Sequence, residues 1–152
     1  LKPVEIELNE RARPQFPPLS NWGDLATMTI SYGHGLTVSP LHLATGYATL
    51  VNGGIYRPPT LLRRSEAPAG RRVFSDATSQ EMRRLLRLVV TNGTGRRADV
   101  PGYRVGGKTG TAEKIENGRY VRGANVVNFA AVFPMDAPRY VVVVMVDDPR
   151  GS

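Results

Sequence analysis

The stretch Val105-Gly106-Gly107-Lys108-Thr109-Gly110-Thr111-Ala112-Glu113 carries a cation, two threonine hydroxyls and three glycines in a segment that the surrounding pattern predicts to be extended. That composition suits an anion-binding strand edge. The Lys108 ammonium supplies a point charge, and the Thr109 and Thr111 hydroxyls supply directional hydrogen bonds. Gly110 would let a ligand backbone lie against the strand without meeting a Cβ. A peptide ending in a carboxylate fits such an edge as an added strand.

On the carboxy-terminal side, Asn117-Gly118 sits between Glu113-Lys114-Ile115 and Tyr120-Val121, which is a two-residue hairpin signal. Residues 125–133 and 139–146 then read as two more strands, joined by Pro134-Met135-Asp136-Ala137-Pro138. The valine run at 141–146 predicts a central strand covered on both faces, with the second cover coming from outside this chain. On the amino-terminal side two helices are expected. Ser39 before Pro40 marks one start, and Leu41, Ala44, Ala48 and Val51 follow helical spacing to Asn52-Gly53-Gly54, which closes it with a left-handed cap. Ser75 or Asp76 caps the other, and Met82, Leu85, Leu86, Val89 and Val90 form its stripe up to Asn92-Gly93. Leu85, Leu86 and Val89 are therefore expected to be buried, with Arg83, Arg84 and Arg87 on the polar side. Residues 4–8 alternate as a half-exposed strand does, 11–18 form a proline-punctuated connector, and 55–62 form a short extended segment. The fold class that results is α/β of the α+β type, an antiparallel sheet with helices packed on it.

Composition narrows the function. A chain of 152 residues has the size of one domain, burying roughly two-thirds of its unfolded surface. The formal net charge is +7, and every positive residue except Lys2, Lys108 and Lys114 is an arginine. The arginines are spread along the chain, so a basic solvated surface accounts for them and no nucleic-acid partner is expected. Without cysteine, disulfides and thiolate chemistry are excluded, and two separated histidines give no expectation of a metal or of any cofactor. The longest apolar run falls far short of the ~18 residues a spanning helix needs, so a membrane link is expected only through a segment outside the chain. Opening on Leu1-Lys2-Pro3 and closing on Arg150-Gly151-Ser152, the chain reads as a piece of a longer protein.

Gly102-Tyr103-Arg104-Val105-Gly106-Gly107-Lys108-Thr109 also spells a phosphate loop, and the valine run followed by Asp147 mimics the metal-binding strand that accompanies one. A phosphate loop needs an apolar strand before its first glycine and a helix directly after the lysine. Here Arg96-Arg97-Ala98-Asp99-Val100-Pro101 precedes it, and Gly110 and a hairpin turn follow. A nucleotide-binding domain and a basic interaction module without catalysis remain as alternatives.

A Lys-Thr-Gly triplet accompanies Ser-x-x-Lys and Ser-x-Asn motifs in penicillin-binding proteins and serine β-lactamases. Around it, Tyr32-Gly33-His34-Gly35-Leu36-Thr37-Val38-Ser39-Pro40-Leu41-His42-Leu43-Ala44 resembles the glycine loop and helix start of class B penicillin-binding proteins. Asn92-Gly93-Thr94-Gly95, Pro101-Gly102-Tyr103 and Gly106-Gly107-Lys108-Thr109-Gly110-Thr111-Ala112 match the same family in order. The resemblance runs over nearly the whole chain and is nearest to the cell-division branch, the septal peptidoglycan D,D-transpeptidases.

The resemblance implies the penicillin-binding, β-lactamase-like fold and acyl transfer from a stem peptide ending in D-Ala-D-Ala, with β-lactams acylating the same serine. Lys108 would supply positive potential and a proton relay, and Thr109, Gly110 and Thr111 would bind the substrate and its carboxylate. The Thr111 backbone N–H would be one oxyanion donor. It further implies division-machinery partners and the periplasmic face of the bacterial inner membrane. Ser20, Ser31, Ser39, Ser65, Ser75 and Ser79 have no lysine three places on, and no Ser-x-Asn occurs. Residues 1–152 are therefore expected to be a partial transpeptidase domain, without the half that carries the nucleophile and without the closing carboxy-terminal helix. His34 between its glycines reads as a loop hydrogen-bonding residue, Tyr32 and Trp22 as packing or loop-anchoring groups, and Arg96 and Arg97 as solvated.

Overall fold

The computed structural model describes residues 2–116 and 119–150. Its centre is a three-stranded antiparallel sheet in the order β3-β4-β5, formed by β3 (Gly106–Glu116), β4 (Arg119–Phe133) and β5 (Tyr140–Asp147). The three strands expected over residues 108–113, 125–133 and 139–146 are present and paired. The Asn117-Gly118 turn expected between the first two lies outside the described residues.

Ahead of the sheet come α1 (Asp24–Ser31), α2 (Pro40–Val51) and α3 (Asp76–Thr91), with a minimal ribbon of β1 (Ile55–Tyr56) and β2 (Arg71–Arg72) between the last two helices. At the start of α2 the Ser39 hydroxyl accepts from the His42 amide, and the His42 ring accepts from the Ser39 amide, so two orphan donors are satisfied reciprocally. Its end is Asn52 followed by Gly53 at φ +91°, the left-handed position that a side chain would strain. Ser75 caps α3 through the Thr78 amide.

The two helices meet the sheet at a core of Val51, Leu86, Val132 and Met135, flanked by Tyr47, Leu50 and Val141. Val132 is 0% exposed, and burying such side chains contributes about 1.5–3 kcal/mol each. Burial also pushes the Tyr47 phenol above its ordinary value. Ser79, buried between the helices, donates to the Leu50 carbonyl at 2.6 Å and accepts from the Gly53 amide at 3.0 Å, tying α3 to the end of α2.

Several expectations need correction. Leu86 is 5% exposed, but Leu85 is 45% exposed and not buried. Ser79, Leu86 and Val90 define the buried line of α3, and Leu85 lies about a third of a turn away from Leu86. Arg87 is not simply solvated: it donates to the Asp99 carboxylate at 2.8 Å and to the Val105 carbonyl at 2.7 Å. Among the described residues the valine-rich β5 has a strand on one side only and no second cover, with Val144 55% exposed. Residues 4–8 alternate but pair with no strand. The segment 55–62 pairs only at β1, since Pro58 and Pro59 carry no amide hydrogen. Helix α1 was not anticipated, because it has neither a side-chain N-cap nor a buried residue to leave a stripe in the sequence.

Candidate active site

Strand β3 pairs with β4 so that Lys108 faces Ala130, Thr109 faces Phe129, Gly110 faces Asn128 and Thr111 faces Val127. Alternation places Lys108, Gly110 and Ala112 on one face of the sheet, and Thr109 and Thr111 on the other. The outer edge of β3 carries no strand among the described residues. Three glycines allow this close pairing: a Cβ on Gly107 would lie 2.8 Å from the Phe129 ring, and one on Gly106 2.6 Å from the Met135 sulfur. The space expected over Gly110 for a ligand is filled on its own face by Asn128, whose amide nitrogen lies 2.6 Å from a Cβ there. Ligand access to Gly110 is therefore along the strand edge.

The exposed Lys108 ammonium turns back along its strand, donating to the Thr109 carbonyl at 2.8 Å and reaching the Thr109 hydroxyl at 3.4 Å. The same hydroxyl lies 2.9 Å from that of Thr94, on the loop after α3. Thr111 is exposed and lines a cavity of about 910 Å³, together with Ala112, Glu113 and Lys114. Both threonines were expected to face a groove; Thr111 is among the cavity's lining residues and Thr109 is not, its hydroxyl meeting Thr94 instead.

The opposite wall of the cavity is the loop Gly33-His34-Gly35, in which both glycines have positive φ, +94° and +87°. His34 stacks on Tyr120 of β4 with centroids 5.6 Å apart, and its Nε2 lies 3.2 Å from the Tyr120 hydroxyl. It is a loop hydrogen-bonding residue, as expected. Trp22 is loop-anchoring, its indole N–H donating to Thr27 at 3.1 Å. Tyr32 is neither packed nor bonded in that way; it stands exposed at the cavity wall. Arg96 donates to the Asn92 carbonyl at 3.0 Å, bracing its own loop.

Serines 31, 39, 75 and 79 are committed to backbone hydrogen bonds at helix ends or, for Ser79, in the core. The phosphate-loop alternative fails on geometry, because Lys108 lies inside β3 where that loop requires the first turn of a helix. Among the described residues no group of three or more His, Asp or Glu could hold a metal ion. Thr94, Asn128 and Tyr120 were missed as site neighbours by sequence reasoning. Only the Asn92-Gly93-Thr94-Gly95 match drew notice to any of them.

The described geometry agrees with known proteins. The family model of the penicillin-binding protein transpeptidase domain matches residues 5–152. The probable peptidoglycan D,D-transpeptidase FtsI of Caulobacter vibrioides is 44% identical over a 162-residue alignment that covers 99% of this chain and 27% of the relative. The apo transpeptidase domain of Burkholderia pseudomallei penicillin-binding protein 3 superposes with a TM-score of 0.88 at 39% identity, covering 96% of this chain and 45% of that one. Penicillin-binding protein 3 of Mycobacterium tuberculosis, solved in complex with aztreonam, gives a TM-score of 0.88 at 30% identity over 97% of this chain and 37% of that one. This chain thus spans about a quarter of the curated relative and under half of the solved chains. On the strength of this coverage and of the Lys-Thr-Gly strand at the cavity edge, the chain belongs to the penicillin-binding protein transpeptidase family, in its class B, FtsI-like branch.

Proposed function

We propose that this chain is the carboxy-terminal half of a serine-type D,D-transpeptidase domain, binding a D-Ala-D-Ala stem peptide, or a β-lactam in its place, along the open edge of β3. The observation that carries the reading is the β3 edge, unpaired among the described residues, on which Lys108 and Thr109 stand next to Thr111, which lines the cavity. A stem peptide laid along that edge gains backbone hydrogen bonds and places its carboxylate near a cation and two hydroxyls. Lys108 raises the local positive potential and assists proton relay. Thr109 and Thr111 bind the carboxylate, Gly110 leaves the edge open, and the Thr111 amide donates to the oxyanion.

The acyl step needs a nucleophile and its base. We place both in sequence that precedes this chain in the parent protein, and a closing helix after it. Through that parent the domain would act in septal wall cross-linking at the periplasmic face of the inner membrane, beside division-machinery partners. No helix among the described residues is long and apolar enough to cross a membrane.

The test is acylation of the full-length protein by a fluorescent penicillin. Lys108→Ala is expected to slow acylation on the order of 100-fold, the loss of one preorganised electrostatic group. Unchanged kinetics would remove Lys108 from the site.

A further inference from the structure

We propose that Thr94 is a positioning residue for ligand recognition at β3: its hydroxyl donates to Thr109 and so directs the Thr109 proton at the ligand carboxylate. The inference rests on the reading of β3 as the ligand-binding strand. The Thr109 oxygen has one proton and two lone pairs. The Lys108 ammonium, 3.4 Å away, can only donate to it. The Thr94 hydroxyl, 2.9 Å away, can donate or accept. When Thr94 donates, both neighbours are served by the lone pairs and the one Thr109 proton is free to point outward. When Thr94 accepts, that proton is spent between the two threonines. A carboxylate accepts only, so its arrival at the edge selects the first arrangement and makes a chain running from Thr94 through Thr109 to the anion, each bond polarising the next.

The loop bearing Thr94 is built to hold it there. The Gly93 and Gly95 amides both donate to the Val89 carbonyl, at 3.1 and 2.9 Å, clamping the loop to the end of α3. Gly95 lies so close to the sheet that a Cβ would stand 3.3 Å from the Phe129 ring, and Phe129 is the cross-strand partner of Thr109. Arg87 binds Asp99 and the Val105 carbonyl together, fixing the far end of the loop segment to the residue that leads into β3. Thr94 itself is exposed and Thr109 half-buried, so the pair stays open to a ligand.

The experiment compares wild-type full-length protein with Thr94→Val, which keeps the shape and removes the hydroxyl, and Thr94→Ser, which keeps the hydroxyl. Acylation is followed against concentration with a fluorescent penicillin and with the methyl ester of the same penicillin. For the free acid, Thr94→Val is expected to raise the half-saturating concentration about 3- to 10-fold, the effect of one neutral hydrogen bond, with the limiting acylation rate kept. Thr94→Ser should restore it, and with the ester the Thr94→Val and wild-type curves should coincide. Unchanged or tighter capture of the free acid by Thr94→Val would overturn the inference, as would an equal loss with acid and ester, which is also what a misfolded variant would show. If no penicillin labels the wild type, the reading of the site fails first; if the wild type is labelled and the acid–ester difference is absent, this inference fails alone.

Discussion

Gly107→Ala tests whether the close pairing of β3 with β4 is what sets Lys108 in place. The new methyl carbon would lie 2.8 Å from Phe129 Cζ, where ordinary contact begins at 3.4 Å, and closer still to the Ala130 carbonyl oxygen. The ring could turn aside, but the carbonyl belongs to the central strand and is held by its ladder. Relief therefore requires β3 to draw away from β4 at the residue next to Lys108. Overpacking of this kind costs about 1–3 kcal/mol. At roughly 2–4 °C per kcal/mol for a chain of this size, the melting temperature should fall by about 6–12 °C at the upper end of that range. Amides of residues 106–110 should exchange faster than those of β5, and penicillin acylation of the full-length protein should slow. A variant with wild-type melting and exchange would show that the glycine is not required for pairing, and the account of how Lys108 is positioned would be wrong.

Gly46→Ala should have the opposite sign, because Gly46 lies in mid-α2 with nothing within 4 Å of a Cβ, and replacing it should stabilise the fold by about 0.5–1 kcal/mol in urea unfolding. A lowered midpoint would contradict that. The Thr60 hydroxyl, followed by the Leu61 amide and, 3.8 Å away, Arg64, holds the Glu7 carboxyl below the ordinary glutamate value. Its contribution is thus present above that value and lost as pH falls through the lowered one. An NMR titration of Glu7 should show a midpoint under that of free glutamate and move up in Thr60→Ala; no movement would remove Thr60 as the main cause. The 152-residue chain alone should not be labelled by penicillin, since no serine in it has a lysine three places on, and it should associate through the exposed valines and open edge of β5. A denaturing gel and light scattering check these outcomes, and a labelled band abolished by a serine substitution would place a nucleophile within this chain.

Much of this fold was legible because its signals are local. Ser39-Pro40 and Asn52-Gly53 bracket α2, Ser75 and Asn92 bracket α3, and the Asn117-Gly118 turn signal, the Pro134–Pro138 linker and the valine run at 141–146 mark β3, β4 and β5. Lys108 and Thr111 were legible as candidate site residues for the same reason, since a polar cluster in a glycine-rich strand is a property of neighbours in the chain. Helix α1, which buries nothing, left no period to read. Residues 4–8 show the converse, an alternation with no strand among the described residues to pair with.

By itself the sequence determined the types and caps of α2 and α3, the three carboxy-terminal strands and the presence of a Lys-Thr-Gly strand, all of which depend on interactions within a few residues. Only the tertiary structure decided that β5 has a single strand neighbour among the described residues, that Leu85 faces outward, that Asn128 fills the space over Gly110, and that Thr109 meets Thr94. Likewise His34 and Tyr120, 86 residues apart, become neighbours only when the loop and β4 close on one cavity. A period tells which face of an element is apolar but not what will lie against it. That choice is made by the shapes of several elements packing at once, and a contact between distant residues leaves no spacing in the chain to read.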